Sequence, residues 1–401
     1  MTTSHDETAV APSALDGVRV LDFTQMMLGP FATQLLADLG ADVIKVERPK
    51  VGEWERGLKF AGQLIGSDSA AFVAMNRNKR SVAIDLKAPG ARDALLRLGA
   101  TCDVVVENFR PGVMDRLGLG YADFRARRAD VIYCSGSGWG QRTKYAQMNR
   151  PGQDLLVQAA TGLAFNTGSA GDPPTAAGTS ICDATAALTL SNGILAALVA
   201  RERHGIGQRV EVDLFHSTMA ILGQEISAMV NHGIMFGRSE AGIAQPWLEA
   251  PFGIYRTADG WIAIAMGELS AVAEVFDDAD LADFDAWSDR DVIKKKLDEM
   301  TPARTTEDWL EALLAAGMWA APVRTMKEAV DELAADDSPL LVNVTHTNGQ
   351  PLQLVGCPIT LSETPWRQRL RPPAVGEHTR EVLGEVLTQE ELQALDTAGA
   401  L

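Results

Sequence analysis

The sequence predicts an α/β fold built on a mainly parallel sheet, with a smaller α+β unit inserted, and three observations carry this. Short β-branched runs alternate with helical ones through the first 215 residues, and strands alternating with helices at this spacing form parallel sheets covered on both faces. After residue 220 a hairpin signal and acid-rich helical stretches replace that pattern. Near residue 340 strands and helices return, which makes the large domain discontinuous. The expected layout is a large domain over 1–220, a small α+β domain over 221–334, and a return to the large domain over 335–401.

Each element follows from local pattern. GVRVLDF (17–23) reads as a buried strand, and FATQLLADLG (31–40) as an amphipathic helix closed by Gly40. DVIKVE (42–47), SVAIDL (81–86), DVVVEN (103–108) and VIYC (131–134) are further strands, with ARDALLRLGA (91–100) as a helix between two of them. A long helix is expected after Asp183, ending near Gly205, and RVEVDLF (209–215) as one more strand. GIYRTADGWIAIAM (253–266) predicts a hairpin turning at Asp259-Gly260. A helix is expected around Trp309–Leu314. LLVNVTHTNGQPLQLVG predicts a second hairpin with its turn at Asn348-Gly349, and Thr388 with Glu391 offers a capping box for a last helix.

Composition bounds the function. The 401 residues are 46% hydrophobic and 22% charged, which suits two packed globular units. A net charge of -17 argues against nucleic acid and anionic membranes as partners, because both demand a basic footprint. No run of 18 uncharged apolar residues reads as a membrane span, nothing resembles a signal peptide, and the polar start MTTSHDETAVAPSALDG suits a frayed tail. The four cysteines form no CxxC pair and suit reduced, buried thiols in the cytoplasm, and the six histidines show no ligand spacing, so no metal is expected. Within this acidic chain the window Lys45–Arg80 holds eight basic and four acidic residues. It reads either as a solvated face of mixed charge or as a local pocket for a polyanionic small molecule.

Two motifs fail. The first strand–helix connection, TQMMLGP, has Gly29 as its one glycine, whereas a dinucleotide fingerprint needs three, and Glu47 at the end of the next strand does not rescue it. Gly136-Ser137-Gly138-Trp139-Gly140 fits neither that fingerprint nor a nucleophile elbow and reads as a structural turn. Asp183 stands before the long helix. It is either an ordinary N-cap or a carboxylate kept ionised by the helix N-terminus and able to act as a nucleophile, and position alone leaves both open.

Six segments in order resemble the class III (CaiB/BaiF-type) CoA-transferases. They are LDGVRVLDFTQMMLGPFATQLLADLGADVIKVERP (15–49), NRNKRSVAIDLK (76–87), VVVENFRPGVMDRLGLG (104–120), RPGQDLLVQAATGL (150–163), NGILAALVARERHGIGQRVEVDLF (192–215) and PAVGEHTREVL (373–383). The resemblance implies a discontinuous, Rossmann-like CoA-binding domain, an interlaced homodimer, and no permanently bound cofactor. Coenzyme A, as acyl-CoA, and a carboxylic acid are the implied substrates. It makes Asp183 the catalytic carboxylate, although Cys182 stands where the family usually has glycine. It carries CoA contacts onto Met27, Leu28, Arg48, Ile84, Asp85, Leu86, Lys87, Asn108, Phe109, Arg110 and Arg116. Gln25, Gln153 and Asp154 are the implied acyl-site candidates.

The implied chemistry passes through an aspartyl anhydride and an aspartyl–CoA thioester. The α-methylacyl-CoA racemases on this fold carry a histidine where this chain has Gln153, and an amide cannot act as a general base near neutral pH. An isomerase or a silent CoA-binding protein are the alternatives. The formyl-CoA:oxalate members carry glutamine where this chain has Met27, together with a glycine-rich lid absent from 225–250. A medium-sized acid or dicarboxylate, with succinyl-CoA as donor, is therefore expected rather than oxalate.

Overall fold

The computed structural model describes residues 11–235 and 237–401. The frayed start expected from the sequence falls, for residues 1–10, outside the described residues. From Ser13 on it is corrected: Ser13 N–H donates to Asp16 (2.7 Å) and Leu15 N–H to the Leu39 carbonyl (2.8 Å), which ties this stretch down. The chain divides into two compact units, one of Met1–Asp154, Ile181–Ser217 and Asp337–Leu401, the other of Leu155–Ser180 and Thr218–Asp336.

The main sheet of the first unit holds six strands: β1 (Arg19–Asp22), β2 (Asp42–Glu47), β3 (Lys79–Ala83), β4 (Val104–Glu107), β5 (Ile132–Ser137) and β6 (Arg209–Asp213). They run in the order β3-β2-β1-β4-β5-β6 and every pair is parallel. Val20, Leu21, Val104, Val105 and Val106 are fully buried, as near-continuous apolar strands must be when both faces are covered. The direction of chain progression reverses between β1 and β4. In such doubly wound sheets the crevice at that reversal, outside the carboxyl ends of the strands, is where ligands bind.

Boundaries moved for local reasons. Helix α1 spans Leu28–Asp38, three residues earlier than expected, because Pro30 fits the first turn, where its missing N–H costs nothing. Gly29 is required there: a Cβ on it would lie 2.2 Å from the Thr24 side chain. β3 ends at Ala83, so Ile84–Lys87 leave the sheet as a loop held by the Asp85 N–H on the Ala400 carbonyl (2.8 Å). The glycine turn after β5 is structural, with Gly138 and Gly152 packed backbone to backbone so closely that a Cβ on Gly138 would lie 2.4 Å from Gly152. The long helix, Ile181–His204, is apolar enough by composition to cross a membrane (hydropathy 1.4), but here it packs on α1, β5 and β6 as a cover of the sheet.

The C-terminal helices Thr379–Gly384 and Gln389–Thr397 pack Val382, Leu383, Leu392 and Leu395 into the same core as Leu95 and Leu98. Thr388 and Glu391 form the expected capping box. The hairpin β10–β11 (Leu341–Thr345, Pro351–Val355) is a separate two-stranded sheet seated on Phe72 and Val73. In the second unit, β7 (Gly253–Arg256), β8 (Trp261–Ile264) and β9 (Ala320–Pro322) form an antiparallel sheet, and Phe276 stacks on Trp309 in its core (4.4 Å between ring centroids).

Four of the eight basic residues of the window are internal, which neither sequence-based reading anticipated. Lys45 pairs with Glu53 (2.9 Å), Arg56 with Glu47 and Asp68 (2.7 Å each), Arg77 with Asp38 (2.5 Å) and Lys79 with Asp22 (3.2 Å), all buried. Arg48, Lys50 and Lys59 remain exposed. Glu47 is committed to Arg56 and to the Ser81 hydroxyl (2.7 Å), so it is a structural carboxylate. All four cysteines are buried and unbridged.

Candidate active site

The loop between β1 and α1, residues 23–28, is positioned from three sides. Asp22 accepts hydrogen bonds from the Thr24 N–H (2.8 Å) and hydroxyl (2.5 Å) and from the Thr33 hydroxyl (2.6 Å). Burial alone would raise its pKa, but Lys79, Lys45 and the two hydroxyls outweigh it and hold Asp22 below the ordinary carboxylate range. Asn108, just past β4, brackets Gln25: the Gln25 N–H donates to Asn108 Oδ1 (2.8 Å) and Asn108 Nδ2 to the Gln25 carbonyl (2.7 Å). These two loops follow the strands flanking the reversal point. Met26, at φ 66°, donates its N–H to Glu53 (3.0 Å).

A cavity of about 550 Å³ opens at the carboxyl ends of β1–β4. Its lining brings together Gln25, Arg48, Ile84, Asp85, Leu86, Lys87, Phe109 and Arg116, eight of the residues expected to contact substrate. Phe23, Val46, Val113 and Leu117 add apolar wall. Arg48, Lys87 and Arg116 are exposed at it, so three cations and an apolar surface meet, the chemistry that a phosphate-bearing nucleotide requires. Arg110 lies instead in a smaller pocket of about 160 Å³ with Asn108, Phe109, Trp139 and Arg150.

Asp183 lines neither of these two cavities. It is half-buried in the first turn of Ile181–His204, and its carboxylate accepts the Leu28 N–H at the start of α1. The N-cap reading is therefore corrected, because the helix begins before Asp183. The capping carboxylate is Asp154, whose Oδ2 accepts the N–H groups of Cys182 (2.8 Å) and Asp183 (3.1 Å). The other reading, a carboxylate that the helix N-terminus keeps ionised, meets opposing effects. Burial first, and then the charge of Asp154, push Asp183 up to about 7 against the opposing Leu28 N–H. Met27 sits at the N-cap of α1, the Leu28 side chain is buried, and Gln153 is exposed.

Three carboxyls of this region were not singled out from sequence. Glu53 lines the cavity, and burial raises it despite Lys45. Glu55 is buried beside it and pushed up to about 8. Glu107 is raised to about 7 by burial and accepts the Phe109 N–H (2.9 Å). None has a periodicity or spacing signal.

With this geometry in hand, comparison with known proteins is direct. Residues 15–379 match the model of CoA-transferase family III. The chain is 32% identical over 390 residues to the succinyl-CoA:glutarate CoA-transferase of Mus musculus, covering 94% of this chain and 87% of that protein. It is 34% identical over 387 residues to the succinyl-CoA:mesaconate CoA-transferase of Haloarcula hispanica, covering 93% and 96%. Among solved structures, a CaiB/BaiF family protein from Brucella suis superposes with a TM-score of 0.80 at 28% identity, covering 94% of this chain and 100% of that one. The chain belongs to CoA-transferase family III. It is a CoA-transferase, and its substrates are acyl-CoA thioesters and carboxylic acids.

Proposed function

We propose that this protein moves CoA from succinyl-CoA, or a similar donor, to a medium-sized mono- or dicarboxylic acid through a covalent intermediate on Asp183. The Asp183 carboxylate attacks the donor thioester carbonyl, forming a mixed anhydride and releasing CoA thiolate. The thiolate attacks the aspartyl carbonyl, giving an aspartyl–CoA thioester and freeing the donor acid. The acceptor carboxylate then attacks that thioester, and the returning thiolate collapses the second anhydride to the new acyl-CoA and free Asp183. Thioester energy is conserved provided water is excluded.

The observation that carries this reading is a half-buried Asp183 that accepts the Leu28 N–H at the end of the β1–α1 loop, the loop whose Phe23 and Gln25 line the cationic cavity. Arg48, Lys87 and Arg116 meet the CoA phosphates, while Phe109, Ile84 and Leu86 give apolar contact. Gln25 and Asp154 border the acyl group. The protein works as an interlaced cytoplasmic homodimer with no permanently bound cofactor.

Mass spectrometry after incubation with succinyl-CoA tests the mechanism. A CoA adduct or hydroxylamine-trapped product on Asp183 is expected, and Asp183→Ala should lower turnover by about a thousandfold or more. Because the nucleophile must be ionised, activity should fall as pH drops below about 7, where Asp183 takes up its proton. Absence of any adduct across a panel of acyl-CoAs sinks the mechanism. Best activity on oxalate overturns the acceptor assignment.

A further inference from the structure

The two lips of the crevice are joined by a side chain that the resemblance had assigned to CoA. Just past β1, the Phe23 N–H donates to the Val106 carbonyl of β4 (2.8 Å). Two residues on along both segments, the next rung is made by the Asn108 side chain. The Gln25 N–H donates to Asn108 Oδ1 (2.8 Å), and Asn108 Nδ2 donates to the Gln25 carbonyl (2.7 Å). A carboxamide carries a donor and an acceptor, as a peptide group does, so it can extend a ladder that the backbone has left. Both polar atoms of Asn108 are thereby engaged inside the protein, and Asn108 does not line the cationic cavity.

The chain beyond that rung leads to Asp183. Met26 follows at φ 66°, in the left-handed region that side chains disfavour, and such a residue persists where its surroundings hold it. Its N–H is taken by Glu53 (3.0 Å). Helix α1 then opens, and Leu28 supplies the N–H that Asp183 accepts. The Leu28 side chain is buried against Gly136 of β5. A Cβ on Gly136 would lie 2.6 Å from Leu28 Cδ2 and 3.3 Å from Asn108 Cβ, so Asn108 and Leu28 flank the same glycine.

We propose that Asn108 is a positioning residue for the transfer: it fixes Gln25 and, through the turn at Met26, sets where the Leu28 N–H meets the nucleophile. The inference rests on Asp183 being that nucleophile. The Asn108 side chain contacts neither the reacting atoms nor CoA in this scheme. Without its rung, Gln25 and Met26 relax toward ordinary backbone angles, and Leu28 and Asp183 lose their alignment. Attack geometry is sensitive at this scale, where a displacement of about 1 Å can cost about a hundredfold in rate.

Single-turnover formation of the Asp183 adduct from succinyl-CoA, in full-length wild type and Asn108→Ala, tests this. The maximal rate should fall about ten- to a hundredfold, while the succinyl-CoA concentration giving half of it stays within about twofold. Hydrogen exchange followed by mass spectrometry should quicken over residues 24–28 and stay unchanged in β4 and the C-terminal helices. A side chain serving CoA gives the opposite split, a raised half-saturating concentration at a preserved maximal rate, and that result overturns the proposal. A less stable variant that keeps its maximal rate marks a merely structural contact and overturns it too.

If Asn108→Ala does not fold, Asn108→Asp decides. It keeps the shape and the bond from the Gln25 N–H but sets an oxygen against the Gln25 carbonyl, so the maximal rate should again fall. An unchanged maximal rate there overturns the proposal. Absence of any adduct in wild type overturns the nucleophile and the proposal with it, whereas adducts formed equally fast in wild type and variant overturn the proposal alone.

Discussion

Asp154 shows how one side chain serves two ends. Its carboxylate caps the long helix through the N–H groups of Cys182 and Asp183, and its charge raises the pKa of Asp183 next to them. The two roles separate by substitution. Asparagine caps a helix about as well as aspartate, so Asp154→Asn should unfold within about 0.5 kcal/mol of wild type, while the acidic limb of activity moves to lower pH. Asp154→Ala removes the cap as well and should cost about 1 kcal/mol in denaturant unfolding. An acidic limb that stays in place in Asp154→Asn would show that burial alone sets the Asp183 proton affinity.

At the scale of elements, the segment joining β2 to β3 is organised by Arg56. Its guanidinium grips Glu47 with two 2.7 Å hydrogen bonds, takes Asp68 with a third, and lies 3.6 Å over the Phe72 ring. Gly52 must lack a side chain because a Cβ there would lie 2.5 Å from Arg56. The turn carrying Glu53 and Glu55 is thereby fixed against the β1–α1 loop, whose Met26 N–H donates to Glu53 (3.0 Å). Arg56→Ala takes the guanidinium from two buried carboxylates, leaving Glu47 with the Ser81 hydroxyl and the Glu53 N–H and Asp68 with His346 (3.0 Å), and should destabilise the protein by about 3–5 kcal/mol in equilibrium unfolding. Arg48→Ala, at an exposed cavity residue of the same window, should change stability by no more than about 0.5 kcal/mol. Equal effects would mean that Arg56 and Arg48 play the same part in the window.

For the whole molecule, a net charge of -17 coexists with a cavity presenting Arg48, Lys87 and Arg116. Long-range repulsion of an anionic substrate and local attraction act together, and salt screens exposed charges beyond about 8–10 Å. Lys87→Ala should therefore raise KM for acyl-CoA several-fold and leave kcat nearly unchanged. A truncated pantetheine thioester, which lacks the nucleotide phosphates, should show no change. An equal loss with the truncated substrate would remove Lys87 from the phosphate end.

The strand and helix pattern was legible because buried parallel strands must be apolar without interruption, and seven of the expected strands and helices landed within a few residues on β1 to β6 and α1. The resemblance of six ordered segments was enough to place the chain in its family. What sequence determined by itself was local periodicity, overall charge and family membership. Tertiary structure decided which charges are free. Four cations of the basic window are spent inside the fold, Asp154 rather than Asp183 caps the long helix, and Glu55 Oε2 is buried without a hydrogen-bond partner among the described residues. A side chain's proton affinity is set by the groups folding brings around it, residues distant in sequence, and no local pattern records that distance.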